Sequence, residues 1–366
     1  MRAGRLAVPI RRRTPPRCTS GESTTGPKSG SAGVDSAPVA GSAEPTASVF
    51  TLQTAITAND QTSWRRLGKE RCRLFYRPHL STVILPSPSH DHCGRRAVDR
   101  ERVLRVSGGR IGFGAMQLAT AGRDRETSVA VLRRAVELGV PLVDTAFLYG
   151  GGANEELVAE ALYPYGEDVV VTTKVGVTGS GPLSNWRLDG RPESLRRQVD
   201  GSLRRLRVER IALLQLHRVD PEVPLADQVG ALSELVGAGK AARIGLSEVS
   251  VGELAEARAI AGIASVQNRY NLDDRVHEPV LRVCEAEGID FLPWRPLGEP
   301  NGEAIAIAAE VGATPAQVAL AWLLDRSAAM LPIPGTSRVS HLEENVAAEQ
   351  IELTSEQRRR LNQEPV

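Results

Sequence analysis

The segment Val169-Val-Val-Val-Thr-Thr-Lys174 combines an uncharged, β-branched run with a terminal lysine. Valine and threonine favour strands, and the lack of an alternating polar face predicts a strand that is buried on both sides. Such strands belong to parallel sheets whose faces are covered by helices. A lysine at the end of a buried strand is costly unless it is paired. The segment therefore predicts a parallel sheet and a partner for Lys174.

Seven other short apolar segments resemble this one and follow residue 109. They are Arg110–Ala115, Pro141–Thr145, Ile211–His217, Ala242–Ser247, Ala264–Gln267, Ile289–Pro293 and Met330–Ile333. Segments with helical periodicity lie between them. Eight strand–helix units in about 260 residues match the size of a (β/α)₈ TIM barrel. We therefore predict an α/β fold with a TIM barrel over residues 106–366.

A doubly wound parallel sheet is the structural alternative to the barrel. Its first strand is usually followed by a glycine-rich turn that receives a dinucleotide. Here Gly112-Phe-Gly114 is followed by Gln117 at the position of the third glycine. Because that fingerprint fails, the barrel is favoured.

The chain of 366 residues has a formal net charge of +1, but its two parts differ in charge. Residues 1–100 hold 16 Lys or Arg and 7 Asp or Glu, which leaves 29 and 37 in residues 101–366. The first part is also rich in Ser, Thr and Pro and shows no hydrophobic period. We therefore predict a largely disordered basic arm over residues 1–105, or translated upstream sequence from a misassigned start codon.

Other interpretations of this arm are weaker. Its arginine-rich start resembles an organellar transit peptide, although prolines interrupt any amphipathic helix. His90-Asp91-His92-Cys93 with Cys72 upstream offers zinc-ligand chemistry, but the spacing matches no familiar zinc module, so we predict no metal site. No apolar stretch reaches the roughly 18 residues of a transmembrane helix, and the four cysteines form no Cys-x-x-Cys pair. The acidic body argues against a nucleic-acid partner.

Four chemically distinct side chains follow consecutive predicted strands. Asp144 and Tyr149 follow the second strand, Lys174 ends the third and His217 ends the fourth. The active sites of TIM barrels lie at the carboxyl ends of the strands, so these groups can converge. Each alone has a structural explanation, such as a loop cap or a core histidine. Their joint position favours a catalytic site.

These motifs resemble the aldo-keto reductase family over roughly residues 105–366. The matching segments are Gly112-Phe-Gly-Ala-Met116, Asp144-Thr-Ala-Phe-Leu-Tyr-Gly150, Thr172-Thr-Lys-Val175, Leu213-Leu-Gln-Leu-His217, Gly245-Leu-Ser247, Val266-Gln-Asn-Arg-Tyr-Asn271, Ile333-Pro-Gly-Thr-Ser-Arg338 and Glu344-Asn345. The resemblance implies a nicotinamide-dependent carbonyl reductase with a catalytic tetrad. In that tetrad we expect Tyr149 to donate a proton, Lys174 to lower the tyrosine pKa, Asp144 to anchor the lysine, and His217 to orient the carbonyl.

The same resemblance implies a set of cofactor-binding residues. They are Gly114, Met116, Ser247, Gln267, Asn268, Trp294, Pro296, Leu297, Gly335, Thr336, Ser337, Arg338, Glu344 and Asn345. We expect Gly335-Thr-Ser337 to open a helix whose N–H groups receive phosphate. Arg338 offers a planar fork for a 2′-phosphate, which favours NADPH over NADH.

The substrate is specified less sharply. Glu248 and Arg295 depart from the family pattern, and the short C-terminus and His217-Arg-Val-Asp220 resemble the pyridoxal reductase-like branch. We expect Met116, Phe147, Trp186 and Arg218 to line a pocket for pyridoxal or another small carbonyl compound. Two other functions remain open, a Schiff-base lyase that uses Lys174 and a cofactor-sensing subunit without turnover. We expect a cytoplasmic monomer or small homo-oligomer.

Overall fold

The computed structural model describes residues 104, 109–119, 124–179, 185–299 and 301–363. The predictions of a disordered arm, a transit peptide and a zinc cluster concern residues that lie outside the described ones. Within the described ranges, no single helix is long and apolar enough to cross a membrane. Among the described helices, one bent pair, Gly302–Val311 and Pro315–Arg326, reaches that length and composition when taken together, with an angle of 96° between the two helices.

Strands and helices alternate along the described chain. The strands are β1 Phe113–Gly114, β2 Leu142–Asp144, β3 Val170–Val175, β4 Val177–Thr178, β5 Arg187–Leu188, β6 Leu213–Leu216, β7 Ile244–Ser247, β8 Ile263–Gln267 and β9 Asp290–Phe291. The helices are α1 Arg125–Glu137, α2 Ala153–Leu162, α3 Pro192–Leu206, α4 Leu225–Gly237, α5 Val251–Arg258, α6 Glu278–Glu287, α7 Gly302–Val311, α8 Pro315–Arg326, α9 Val339–Ala347 and α10 Ser355–Asn362.

Seven strands form one parallel sheet in the order β1-β2-β3-β6-β7-β8-β9, while β4 and β5 form a separate antiparallel pair. The predicted eighth strand, Met330–Ile333, is not a regular strand: it makes an isolated bridge from Met330 to Phe291 and closes the sheet through single hydrogen bonds. Leu331 N–H donates to Phe291 O of β9 over 2.8 Å, and Gly112 N–H donates to Pro332 O over 2.8 Å. The TIM barrel is therefore confirmed. The segment forms no regular ladder with β1 because Pro332 and Pro334 have no N–H to donate in return.

Local sequence signals set the helix boundaries. Ser250, Thr314 and Thr354 each begin a helix with a capping box, in which the side chain accepts from the third backbone N–H and a Glu or Gln returns the bond. Pro192 stands at the start of α3, where its missing N–H costs no helical bond. Gly139 follows α1 with φ of 77°, a left-handed conformation that suits glycine.

The barrel interior changes from apolar to polar along the strands. A buried cluster at its lower end is made of Leu104, Leu142, Val170, Leu213, Leu292, Leu331 and Ile333. Side chains two residues apart on a strand face the same side. The inward positions that follow these leucines and valines are therefore Asp144, Thr172 and Gln215, with Lys174 one step further along β3. The barrel interior therefore has an apolar layer toward the amino ends of the strands and a polar layer toward their carboxyl ends.

Candidate active site

Lys174 lies at the centre of the polar layer. Its side chain is fully buried, and Nζ donates to Asp144 Oδ2 over 2.6 Å, to Thr145 O over 2.9 Å and to Tyr149 Oη over 3.1 Å. Burial alone lowers the pKa of Lys174, but the Asp144 charge and the Tyr149 oxygen outweigh it and raise that pKa above its usual value. Lys174 is therefore a buried ammonium with three acceptors, and it has the partner that its strand predicted.

The second oxygen of Asp144 is held by two amides. Gln215 Nε2 donates to Asp144 Oδ1 over 3.1 Å, and Gln267 Nε2 donates to the same atom over 2.9 Å. Gln215 also donates to Thr172 Oγ1 over 2.8 Å. These bonds fix the carboxylate that anchors Lys174. Gln215 was not predicted as a site residue, although it is the single polar residue of the buried strand Leu213–Leu216.

The backbone turns sharply just after Tyr149. Gly150, Gly151 and Gly152 have φ values of 59°, 65° and 100°, conformations that side chains with a Cβ rarely adopt. A Cβ on Gly152 would also lie 2.7 Å from Arg205 Nε. The glycines let the chain enter α2 immediately after Tyr149, which leaves the phenol beside Lys174.

The pKa of Tyr149 differs from the sequence expectation. Burial of the phenol raises its pKa, the Lys174 ammonium lowers it, and the Asp144 charge raises it again. The result is a pKa above the usual value of about 10, whereas we expected a net decrease. Lys174 acts in the expected direction, but desolvation is larger. Tyr149 is therefore a protonated phenol at neutral pH.

His217 lies next to Tyr149 as a neutral imidazole. Their rings are 5.7 Å apart in an edge-to-face arrangement, and the Trp186 ring is 5.8 Å from His217. Burial, together with the positive charges of Lys174 and Arg218, lowers the pKa of His217 well below 6.5. The structure thus brings the four predicted tetrad residues into one cluster. It contains the Asp144–Lys174 ion pair and the two uncharged rings of Tyr149 and His217.

A cavity of about 520 Å³ opens above this cluster. Its lining includes most of the residues that the sequence analysis predicted around the catalytic centre: Gly114, Met116, Asp144, Tyr149, Trp186, His217, Arg218, Gln267, Trp294, Pro296, Leu297 and Gly335. It also includes five residues that were not predicted to line the site: Gln117, Arg295, Gly298, Ile333 and Pro334. The missed residues are neighbours of predicted ones in loops whose conformation the sequence did not specify. Lys174 lies beneath this lining.

Three of the predicted site residues do not line the cavity. Phe147 packs beneath the Arg205 guanidinium, 4.7 Å from its ring, and does not line the cavity. Asn268 is buried away from the cavity lining, where its Oδ1 accepts from Val249 N–H over 3.1 Å and its Nδ2 donates to Val249 O over 2.7 Å. Ser247 lies behind the cavity wall, where its hydroxyl accepts from Arg218 over 3.0 Å. Side-chain direction after a strand end depends on loop geometry, which the sequence pattern did not define.

Glu248 fixes the indole of Trp294 at the cavity rim. Glu248 Oε1 accepts from Trp294 Nε1 over 2.5 Å and from Arg269 N–H over 2.7 Å. Burial alone raises the pKa of Glu248, but hydrogen bonds from His277, Trp294 and Arg269 lower it to about 2. Glu248, which departs from the family pattern, is therefore ionised at neutral pH, and its carboxylate holds the Trp294 indole in place at the cavity rim.

The predicted phosphate segment is arranged differently from our expectation. Helix α9 begins at Val339 rather than at Gly335, and Arg338 is its N-cap residue. Arg338 is exposed, with Nη2 3.2 Å from His341 Nδ1, while its N–H donates to Thr336 Oγ1 over 3.2 Å. The helix starts later because the preceding segment closes the barrel: Gly112 N–H donates to Pro332 O over 2.8 Å and Gly114 N–H donates to Pro334 O over 3.1 Å. Of the remaining predicted cofactor residues in this region, Ser337 is half-buried, Glu344 is exposed and Asn345 is buried.

The cavity fits a nicotinamide better than a metal. Among the described residues, no group of three or more His, Cys, Asp or Glu side chains could hold a metal ion. Gln267 lines the cavity, its Nε2 is occupied by Asp144 and Gln215, and no described hydrogen bond reaches its Oε1. That free acceptor matches the donor of a carboxamide, and the fixed Trp294 ring offers an aromatic face beside it. The residues present therefore suit a nicotinamide cofactor.

Comparison with known proteins gives the same chemistry. The aldo/keto reductase family model matches residues 110–302 and 299–363. The chain is 43% identical over 265 residues to an uncharacterized oxidoreductase, C215.11c, of Schizosaccharomyces pombe, with 70% of this chain and 86% of the relative covered. It is 40% identical over 262 residues to pyridoxine 4-dehydrogenase of Escherichia coli, with 68% and 91% covered.

A solved structure agrees with these sequence relatives. The aldo/keto reductase of Klebsiella pneumoniae in complex with NADP and acetate superposes with a TM-score of 0.61 at 26% identity, with 71% of this chain and 94% of that chain covered. A family model that spans most of the described residues, two relatives above 30% identity and a shared barrel lead to one conclusion. The chain belongs to the aldo/keto reductase family and is an NAD(P)H-dependent oxidoreductase.

Proposed function

We propose that this protein reduces a small aldehyde or ketone to an alcohol with NADPH, and that Tyr149 is the proton donor. The observation that carries the proposal is the chain of contacts from Asp144 through Lys174 to Tyr149 at the base of the cavity. Reduction of a carbonyl needs hydride at carbon and a proton at oxygen. Bound NADPH would supply the hydride.

The residues of the chain account for the proton. A carbonyl oxygen that reaches Tyr149 Oη also comes close to the neutral His217 ring, which can donate a hydrogen bond to it. As negative charge grows on that oxygen, Tyr149 donates its proton to it. Lys174 remains charged throughout and stabilises the phenolate that is left behind. Asp144, held by Gln215 and Gln267, keeps the ammonium in place.

The Schiff-base alternative fits the site poorly. A lysine nucleophile must lose its proton and approach the substrate carbonyl carbon. Lys174 has its pKa raised, its three N–H donors are directed at Asp144, Thr145 and Tyr149, and it lies below the cavity lining. Proton donation by Tyr149 requires no change in this arrangement.

We propose pyridoxal as one substrate, on the basis of the 40% identity to pyridoxine 4-dehydrogenase. The test is NADPH oxidation by the purified chain with pyridoxal, methylglyoxal and a series of aryl aldehydes. We expect turnover with pyridoxal and with at least some of the aryl aldehydes. Absence of NADPH oxidation with every aldehyde, by enzyme that binds NADPH, would contradict the proposal. A cytoplasmic location and a monomeric or small homo-oligomeric state remain predictions from the sequence.

We propose that Arg338 makes the enzyme prefer NADPH over NADH. Its guanidinium is exposed at the start of α9, where it can form two hydrogen bonds to a 2′-phosphate. Replacing Arg338 by Ala should raise KM for NADPH by about 10- to 100-fold, the effect of losing a hydrogen bond to a charged group, and change KM for NADH by less than about threefold. Steady-state kinetics with both cofactors measures this. An equal rise for NADPH and NADH would assign Arg338 a structural role.

A further inference from the structure

One cation in the cavity wall lacks a carboxylate partner. Arg218 Nη1 donates to His217 O over 2.6 Å and to Ser247 Oγ over 3.0 Å, and its Cζ lies 5.9 Å from the Trp294 ring. All three partners are neutral. Among the described residues no carboxylate oxygen lies within 4.0 Å of this guanidinium. Both hydrogen bonds use Nη1, so two of the five N–H donors of the guanidinium have acceptors. The N–H groups of Nη2 and Nε remain for another acceptor.

The remaining charges around the cavity do not compensate Arg218. Asp144 is neutralised by Lys174 at 2.6 Å, and His217 is neutral because its pKa lies well below 6.5. The charge of Glu248 acts on Arg218 from a distance, but both of its oxygens are directed at other groups, Oε1 at Trp294 and Arg269 and Oε2 at His277. A second guanidinium, that of Arg295, also lines the cavity and lies 3.9 Å from the exposed Glu299 carboxylate. Among the residues that line the cavity, the carboxylate is that of Asp144, which Lys174 already pairs, so Arg218 has no carboxylate partner in the lining.

Burial makes this charge costly without a ligand. Desolvation lowers the pKa of Arg218, which means that the protein environment disfavours its charged form. A bound anion would offset that cost through a charge-assisted, bidentate hydrogen bond. Arg218 lines the cavity as well as bonding to Ser247, so its guanidinium can be reached by a ligand in the cavity.

We infer that Arg218 is a specificity-determining residue that binds an anionic oxygen of the substrate. This inference rests on the proposed function and names its substrate class: aryl aldehydes with a carboxylate, phosphate or phenolate group near the carbonyl. Arg218 follows His217 directly and lines the same cavity, so the anion would belong to the same ring that carries the reacting carbonyl. Trp186 and Trp294 line the same cavity and supply the aromatic walls that such a ring needs. Pyridoxal belongs to this class, because its ring hydroxyl is an acidic phenol beside the aldehyde.

Matched substrates test the inference in the wild-type enzyme first. Carboxybenzaldehydes with the acid at the 3- or 4-position are compared with their methyl esters, and pyridoxal with its 3-O-methyl ether. The three pairs separate a carboxylate from a phenolate as the anion. We expect kcat/KM to favour the anionic member of at least one pair by about 10-fold or more, as expected for a hydrogen bond to a charged group. Reduction of neutral aldehydes with no preference for the anionic member of any pair overturns the inference and leaves the proposed function intact. No reduction of any aldehyde contradicts the proposed function itself.

A charge-removing variant then assigns the preference to this residue. Arg218→Met keeps an unbranched side chain of about the length of the arginine stem and removes the charge. We expect it to lower the anionic-to-neutral ratio of kcat/KM by about 10- to 100-fold, whereas Arg218→Lys should keep part of the ratio. Arg196→Met removes the same charge from the exposed face of α3 and should leave the ratio unchanged. Binding of 4-(hydroxymethyl)benzoate, followed by tryptophan fluorescence, should weaken in Arg218→Met by a similar factor. An equal loss with acid and ester, or unchanged benzoate binding, would show that Arg218 only supports the neighbouring residues.

Discussion

Replacing Tyr149 by Phe should lower kcat for aldehyde reduction by about 10²- to 10⁴-fold, the usual contribution of a positioned general acid. The variant retains the aromatic ring that packs edge-to-face against His217 and loses only the hydroxyl bonded to Lys174. NADPH affinity should therefore change by less than about threefold, because the removed atom belongs to the proton-donating step. Stopped-flow kinetics gives the rate, and quenching of tryptophan fluorescence by NADPH gives the affinity.

Tyr163→Phe provides the matched control. Tyr163 is half exposed at the end of α2, with its ring near Tyr165, so loss of its hydroxyl should leave kcat unchanged. The pH dependence of the wild-type enzyme adds a second check. Because burial raises the pKa of Tyr149 and lowers that of His217, the reduction rate should stay level through neutral pH and fall only in the alkaline range. Undiminished turnover in Tyr149→Phe would remove this residue from the mechanism.

Replacing Lys174 by Met should have the largest combined effect on activity and stability. The variant leaves the Asp144 carboxylate buried without its counter-ion, and breaking a buried pair in this way costs about 3–5 kcal/mol of unfolding free energy. Activity should fall by about 10³-fold or more, because Tyr149 loses the charge that stabilises its ionised form. Urea unfolding and steady-state kinetics measure the two effects separately.

The double variant Asp144→Asn, Lys174→Met separates stability from catalysis. Removing both charges leaves a neutral amide that can still bond to Gln215 and Gln267, so we expect most of the lost stability to return while activity stays low. Lys240 is the other lysine of residues 101–366, and its exposed pair with Asp200 should contribute less than about 1 kcal/mol in Lys240→Met. A double variant that is no more stable than Lys174→Met, or that regains activity, would contradict this account of the pair.

The buried parallel strands that predicted the barrel also predicted the cluster of Asp144, Tyr149, Lys174 and His217. A buried parallel strand must pair any charge at its end, and strand ends of a barrel meet at one rim. Lys174 and Asp144 therefore had to be near each other once both were recognised as strand ends. The structure shows that adjacent residues alone set the helix starts at Pro192, Ser250 and Thr314, because capping depends on only a few neighbouring positions.

Other features depend on three-dimensional context that periodicity does not contain. The direction of Phe147 is set by the Arg205 guanidinium that covers it from α3. The late start of α9 follows from barrel closure by Pro332 and Pro334. The net pKa shift of Tyr149 is decided by the balance between desolvation and the Lys174 charge. Gln215 was not identified because a single polar residue in a buried strand gives no sign of its partner, Asp144.

Isotope transfer tests the central claim most directly. Wild-type enzyme is loaded with NADPH that carries deuterium at the transferable position of the nicotinamide, and is then mixed with pyridoxal or 4-carboxybenzaldehyde. Mass spectrometry of the product should show one deuterium on the carbinol carbon of the alcohol, with one NADPH oxidised for each alcohol formed. An alcohol without deuterium, or NADPH that stays reduced while the aldehyde is consumed, would contradict carbonyl reduction at this site.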